Sequence, residues 1–215
     1  MRVIAIQQGR VQSRRRLFDG SVFESAYEKL PAAGPVRISD TGVGYDAQGD
    51  LVRHGGPDRA TLMYASAHYD RFEEEYGMRL PYGSFAENLT VSGIDEVTVA
   101  IGDVFRVGEA LLEVSEPRIP CWKITEHTGV KTLSERVQQT GRIGFFLRTL
   151  RAGEVQTNDP LVRIDRPHDE FIVSDVYRLL IRPRLTQEEA HWLLACTKLS
   201  RKHRERIAQK WAIDA

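Results

Sequence analysis

"VTVAIGDVFRVGEALLEVSEPRIPCWK", residues 97–123, holds apolar, β-branched runs cut by Gly102 and Gly108 and closed by Pro117 and Pro120. Such runs predict consecutive strands rather than a helix, because β-branched side chains suit a pleated, half-buried surface and glycine and proline punctuate it. The pattern extends both ways. Upstream, "ENLTVSG" (87–93) reads as a strand stopped at Gly93. Downstream, "RIGFFLRTL" (142–150) and "EVQTNDPLVRI" (154–164), joined by "RAGE", read as a hairpin. At the start, "RVIAI" (2–6) and "PVRIS" (35–39) add short strands with a charged, loop-like segment between them. The expectation is a mainly β domain whose strands form a barrel or folded sheet.

Helical periods lie at its margins. "MYASAHYDRFEEEY" (63–76) sets Tyr69, Phe72 and Tyr76 at helical spacings before Gly77, a suitable stop. "TLSERVQQTG" (132–141) opens with Thr132 and Glu135 in capping-box spacing and ends at Gly141. After "DRPHDE" (165–170) come three helical stretches, 173–181, 186–199 and 200–213, the second opened by a Thr186–Glu189 capping box. The chain is expected to divide into a β domain, residues 1–167, and a small three-helix extension, residues 168–215.

With 41% hydrophobic and 28% charged residues, the 215-residue chain has the composition of an ordinary soluble globular protein. Thirty basic residues balance thirty acidic ones, so charge favours neither nucleic acid nor an anionic membrane as a partner. "MRVIAIQQGR" lacks the features of a secretory signal, and no run of about eighteen apolar residues occurs, so a cytoplasmic protein is expected. The basic tail "SRKHRERIAQK" reads as a solvated helix face, while Ile207 and Trp211, four apart, dock that helix on the β domain or on a partner, a homodimer included. Cys121 and Cys196 are the only cysteines, fewer than the four that an ordinary iron–sulfur cluster takes.

Cys121 stands directly behind Pro120, with Arg118 and Lys123 close on either side. Proline fixes its own φ and pushes its predecessor toward extended conformations, so "PRIPC" is a stiff, extended or turning presentation. The cations favour a thiolate, the form that acts as nucleophile or soft-metal ligand. Packing at a strand end is the alternative. Cys196, within "HWLLACTKL", reads as core. In "HGGPDR" (54–59), Gly55 and Gly56 let backbone N–H groups approach a ligand, His54 and Arg59 add charge or hydrogen bonds, and a helix predicted to follow would favour an anion. A plain turn is the alternative. Glu87 and Asn88 precede a strand, where capping or turn hydrogen bonds are the simplest role. A zinc site or cysteine hydrolase joining Cys121 to His54, His68 or His127 lacks tight ligand spacing, and His68 reads as surface or half-buried.

Taken in order, "GVGYDAQGD", "RHGGPDRA", "GSFAENL", "IGDVFRVGEALLEVSEPRIPC" and "TGRIGFFLRTL" resemble the signatures of the MOSC domain family, whose fold is shared with the C-terminal part of molybdenum cofactor sulfurases. The likeness covers roughly residues 1–165, and the helical tail is similar to that of the family's YiiM-type bacterial branch. The resemblance implies a closed pseudo-β-barrel with a few helices that binds molybdenum cofactor in its molybdopterin form, with Cys121 as metal ligand and catalytic residue. It further implies His54, Gly55, Gly56, Arg59, Arg118, Lys123 and Arg142 at the pterin and its phosphate, and Glu87 and Asn88 at cofactor or substrate. The activity implied is reduction of N-hydroxylated bases or related N-hydroxylated compounds. With no iron–sulfur or flavin fingerprint in the chain, the electrons are expected from a separate reductase. Pyridoxal phosphate binding is a further family-level expectation. The alternative is a cofactor or sulfur carrier using Cys121 as a persulfide site. One departure stands out: Tyr45–Asp46 occupies a place where relatives carry Gly-Asp, which changes a loop beside the expected pocket.

Overall fold

The computed structural model describes residues 1–48 and 55–212. The deciding stretch yields β9 (Val104–Val107) and β10 (Ala110–Pro117), an antiparallel hairpin in register Val107↔Ala110. Its turn needs glycine: Gly108 has φ 52°, and a Cβ there would lie 2.4 Å from the Glu154 carbonyl oxygen. Val97–Asp103, expected as strand, instead turns. Its Val99, Ala100 and Ile101 are fully buried, the Ala100 amide donates to Asp103 Oδ2 at 3.0 Å, and only an isolated bridge joins Ala100 to Ile172.

Around this hairpin stand β1 (Arg2–Gln8), β4 (Leu30–Pro31), β7 (Thr61–Ala65), β8 (Leu89–Ser92), β11 (Phe145–Arg151) and β13 (Leu161–Asp165), in the order β13-β9-β10-β11-β7-β8-β1-β4. β7 and β8 are parallel, joined through α1 (Ser66–Tyr76), as a parallel pair requires. The predicted helix from Met63 therefore begins only at Ser66, after a fully buried strand.

The fold is mainly β with helices, but the sheet is not the closed barrel expected. β1 meets the chain before β13 only at the Arg2↔Pro160 bridge and the bonds of Val3 with Asn158 and Asp159 and of Leu161 with Met1. Asn158 is left-handed at φ 74° and Pro160 has no N–H, so no ladder can propagate there. The expected hairpin after Phe145 is likewise corrected. β12 (Gly153–Val155) leaves β11 to pair with β5 (Val36–Ser39), which also pairs with β6 (Gly42–Val43), while β13 pairs with β9. Gly153 permits the diversion by lying where a Cβ would meet the Glu109 and Ala110 backbone at 2.5–2.6 Å. The charged N-terminal segment holds an unforeseen hairpin, β2 (Gln12–Arg15) with β3 (Val22–Ser25).

α2 (Lys123–Thr128), also unforeseen, and α3 (Leu133–Thr140) pack with α1 around Tyr64, Phe72, Phe85 and Ile124. Thr132 precedes α3 but makes no side-chain cap, whereas the Thr186–Glu189 capping box opens α5 (Gln187–Ala195) in full. With α4 (Val173–Leu180) and α6 (Arg201–Trp211), α5 completes the tail. Val173, Leu193, Leu199 and Ile207 share one core with Val3, Phe105 and Leu147 of the sheet, and Trp211 packs on it. Among the described residues no helix is long and apolar enough to cross a membrane.

Candidate functional site

β10 ends at Pro117, and the Arg118 amide donates to the Gly144 carbonyl at 3.1 Å. The chain then runs without regular structure through Pro120 to Cys121, whose carbonyl accepts from Ile124 N at 3.2 Å and Ser134 Oγ at 3.0 Å. Cys121 thus sits at the join between an extended segment and α2, its backbone fixed from both helices. Its side chain is half-buried and borders a cavity of about 470 Å³.

Among the described residues the cavity wall carries six cations, Lys29, Arg59, Arg118, Lys123, Lys202 and Arg206, together with His203, and no carboxylate. Leu62, Phe146 and Ile119 give it apolar surface. Two of the cations are neutralised from behind: Lys29 pairs with Asp46 and Arg59 with Glu116. Burial pulls the Lys29 ammonium down and Asp46 holds it up.

Arg118 differs. It is 5% exposed, its Nη2 donates to the Tyr27 hydroxyl at 3.1 Å, and its Nη1 has no hydrogen-bond partner among the described residues. Burial opposes its charge, but the neighbouring Tyr27 and Cys121 outweigh that and raise its pKa. Burial raises Tyr27 as well, so its hydroxyl stays neutral.

His203, on the inner face of α6, is also 5% exposed, and among the described residues neither ring nitrogen has a hydrogen-bond partner. Nε2 lies 3.4 Å from Glu116 Oε2, within ion-pair reach but not aligned for a bond, and that carboxylate already takes Arg59 and Ser200. Burial pulls His203 down to about 4; Glu116 opposes this, and Arg206, Arg59 and Lys202 add to it. A buried donor left unsatisfied costs about 1–3 kcal/mol, so native proteins keep few of them without reason.

Of the residues expected at the site, Cys121, Arg59, Arg118 and Lys123 meet at this cavity. Glu87 and Asn88 do not border it. Glu87 is fully buried and accepts from the Tyr69 hydroxyl, Gly83 N, Phe85 N and Thr90 Oγ1. Asn88 accepts from Leu62 N at 3.0 Å and donates to Asp46 Oδ2 at 2.8 Å. Both hold turns, as local chemistry alone suggests. Arg142 is also elsewhere, its Nη1 2.6 Å from Glu75 Oε1 on α1, where hydrogen bonds from Arg136 and Arg142 hold Glu75 down at about 2.

His54 lies outside the described residues, and Gly55 and Gly56 do not border the cavity. After Gly56, at φ 106°, comes a short 3-10 turn, Pro57–Arg59, and then β7. The expected helix N-terminus for an anion is therefore absent: the chain must turn straight into a buried strand. Tyr45 packs under Arg10 outside the cavity, while Ala47 and Gln48 of the same loop border it.

His68, expected near the surface, is buried with Nε2 2.7 Å from Glu96 Oε2. His127 packs on Tyr27 beside a smaller pocket of about 130 Å³. Among the described residues no cluster of three or more His, Cys, Asp or Glu could hold a metal by itself.

Tyr27, Lys29, Lys202, His203 and Arg206 were missed from sequence. For the last three the signal was present: 203 and 207 share one face of α6 and 202 and 206 the next, so a helix docked through Ile207 carries His203 inward.

The MOSC domain profile matches residues 50–162, more than half the chain. The chain is 41% identical over 177 residues to "Uncharacterized protein YflK" of Bacillus subtilis, covering 82% of this chain and 79% of that one. It is 33% identical over 184 residues to a protein of Gibberella moniliformis named "Reductase", covering 84% of this chain but 32% of that protein. The crystal structure of YiiM from Geobacillus stearothermophilus superposes with a TM-score of 0.81 at 27% identity, covering 98% of both chains, helical tail included. The chain belongs to the MOSC domain family.

Proposed function

We propose that this protein is a molybdenum-cofactor-dependent reductase of N-hydroxylated bases or related N-hydroxylated compounds, supplied with electrons by a separate reductase. The observation that carries the reading is a half-buried thiol on a cavity whose described lining is cationic and holds no carboxylate. Family membership and a relative named "Reductase" support it.

The residues present fit the cofactor. One thiol cannot hold a metal alone, so a metal here must bring further ligands, as a pterin dithiolene does. Arg118 borders the cavity, its buried Nη1 has no acceptor among the described residues, and Lys123 adds a second cation to the wall. When bound, the cofactor supplies two-electron oxygen abstraction from an N–OH group. Reduction of R–NHOH consumes two electrons and two protons and yields the amine and water. Cys121 would hold the metal, Arg118 and Lys123 would balance the anionic cofactor, and Phe146 and Leu62 would give a flat heterocycle an apolar face. Tyr27, kept protonated by burial, and His203 are two of the proton-bearing groups on the wall.

Protein purified from a host that makes molybdenum cofactor should reduce an N-hydroxylated base with an artificial reductant and stay idle with NADPH alone. Sustained NADPH turnover without added protein would refute the separate reductase. A molybdenum-free protein that accepts sulfane sulfur on Cys121 would instead favour a persulfide carrier.

A further inference from the structure

The β2–β3 hairpin stands apart from the large sheet as a two-stranded sheet of its own, exposed along most of both strands. Its turn is firmly built. Arg16 N donates to Ser21 O at 2.9 Å and Gly20 N to Arg16 O at 3.0 Å, while Asp19 Oδ1 accepts from Ser21 N at 2.9 Å and Ser21 Oγ at 2.6 Å. The hairpin is also pinned beside α2. Phe23 meets Trp122 edge to face at 4.9 Å, Arg16 lies over the Trp122 ring at 3.9 Å, and Leu17 N donates to Glu126 Oε2 at 2.7 Å.

What this frame holds out to solvent is apolar. Phe18 is 95% exposed and Leu17 71% at the tip, and Val22 beside them is 59% exposed. Arg14 pairs across the hairpin with Phe23 and Arg15 with Val22. Successive strand residues point to opposite faces, so Phe23 turns toward Trp122 and the Arg15–Val22 face turns away. Arg14 is paired with Glu28, and Arg16 lies 3.7 Å from Asp19. Arg15 donates to the Gly20 carbonyl and Lys123 lies over the Phe23 ring, and among the described residues neither has a carboxylate partner. The balanced charge of the whole chain therefore hides a local basic excess, three arginines against two carboxylates over residues 12–25.

An ordered tip that exposes two large apolar side chains marks a docking point. A stable protein interface takes roughly 20–30 residues a side with matching shape, which a convex tip of this size does not offer. A bilayer needs no matching shape: apolar side chains enter the acyl boundary while arginine and lysine stay at anionic headgroups.

We infer that the β2–β3 hairpin docks this protein on an anionic lipid surface, with Leu17 and Phe18 in the acyl boundary and Arg15, Arg16 and Lys123 at the headgroups. Trp122 directly follows Cys121 and holds the hairpin, so the docked tip is tied to the segment that presents the thiol. The inference does not depend on the metal or on the reaction proposed above.

Sedimentation of the full chain with sucrose-loaded vesicles tests it, using phosphatidylcholine alone and phosphatidylcholine mixed roughly two to one with phosphatidylglycerol. The chain should sediment with the mixed vesicles at about 0.1 M salt and be released at about 1 M. Phe18→Ser should weaken partitioning roughly tenfold and Arg15→Gln roughly fivefold, each variant being shown to be folded by its melting curve. Val97→Ser, at an exposed apolar side chain of the turn before β9, should leave it unchanged. No sedimentation with the mixed vesicles, or sedimentation indifferent to Phe18→Ser, overturns the inference and leaves the tip to an acidic protein partner. Equal sedimentation with phosphatidylcholine alone overturns it too, because the arginines would then have no part.

Discussion

The turn around Glu87 and the cavity beside Cys121 are both built from buried polar groups, and they end in opposite states. Glu87 collects four hydrogen bonds and Asn88 ties Leu62 to Asp46, leaving neither side chain facing the cavity. At the cavity, among the described residues, Arg118 Nη1 and both nitrogens of His203 have no hydrogen-bond partner, and no carboxylate lines the wall. A saturated network holds the chain in place. A cavity lined by cations, with a buried guanidinium nitrogen still lacking an acceptor, suits something negative.

The contrast breaks most visibly under mutation. Glu87→Ala strands four donors, so it should cost about 3–5 kcal/mol and lower the melting temperature by roughly 10 °C. If it instead spared stability and abolished ligand binding, the two regions would have been assigned the wrong way round. His203 sharpens the picture through pH. Its folded pKa, near 4, lies below the ordinary 6.5, so the unfolded chain takes up that proton first. The stability at stake is whole above pH 6.5 and is lost as pH falls toward 4, by up to about 3 kcal/mol. In urea unfolding at pH 7 and pH 4.5, His203→Gln should flatten part of that slope; an unchanged slope would mean that the ring is solvated.

Arg118→Met should change stability by no more than about 1 kcal/mol, because a buried, half-satisfied charge is exchanged for an apolar chain, yet it should lower the pterin retained on purification about tenfold. A large loss of stability would place Arg118 with Glu87 instead. Arg142→Ala removes a partly exposed pair with Glu75 and should cost under about 1 kcal/mol in thermal unfolding with pterin content unaltered.

Much of this was legible in sequence where the signal was local. The β9–β10 hairpin follows from β-branched runs around Gly108, and α5 from its capping box. The stiff place of Cys121 could be read from two prolines and its cations from Arg118 and Lys123. Long-range pairings could not. Nothing between Phe145 and Ile164 says that β12 leaves for β5, since that depends on Gly153 meeting the Glu109–Ala110 backbone. Glu87 and Arg142 looked functional because charge in a motif says nothing of whether Thr90 or Glu75 waits nearby. His203 was hidden because a basic helix looks solvated until its Ile207 side is docked.

The cavity reading rests finally on Cys121. Molybdenum and pterin should be measured on protein purified from a cofactor-producing host, beside Cys121→Ser shown to be folded by its melting curve. Near-stoichiometric metal and pterin in the first, with metal lost in the second, is the expected result. Equal metal content in both proteins would contradict it.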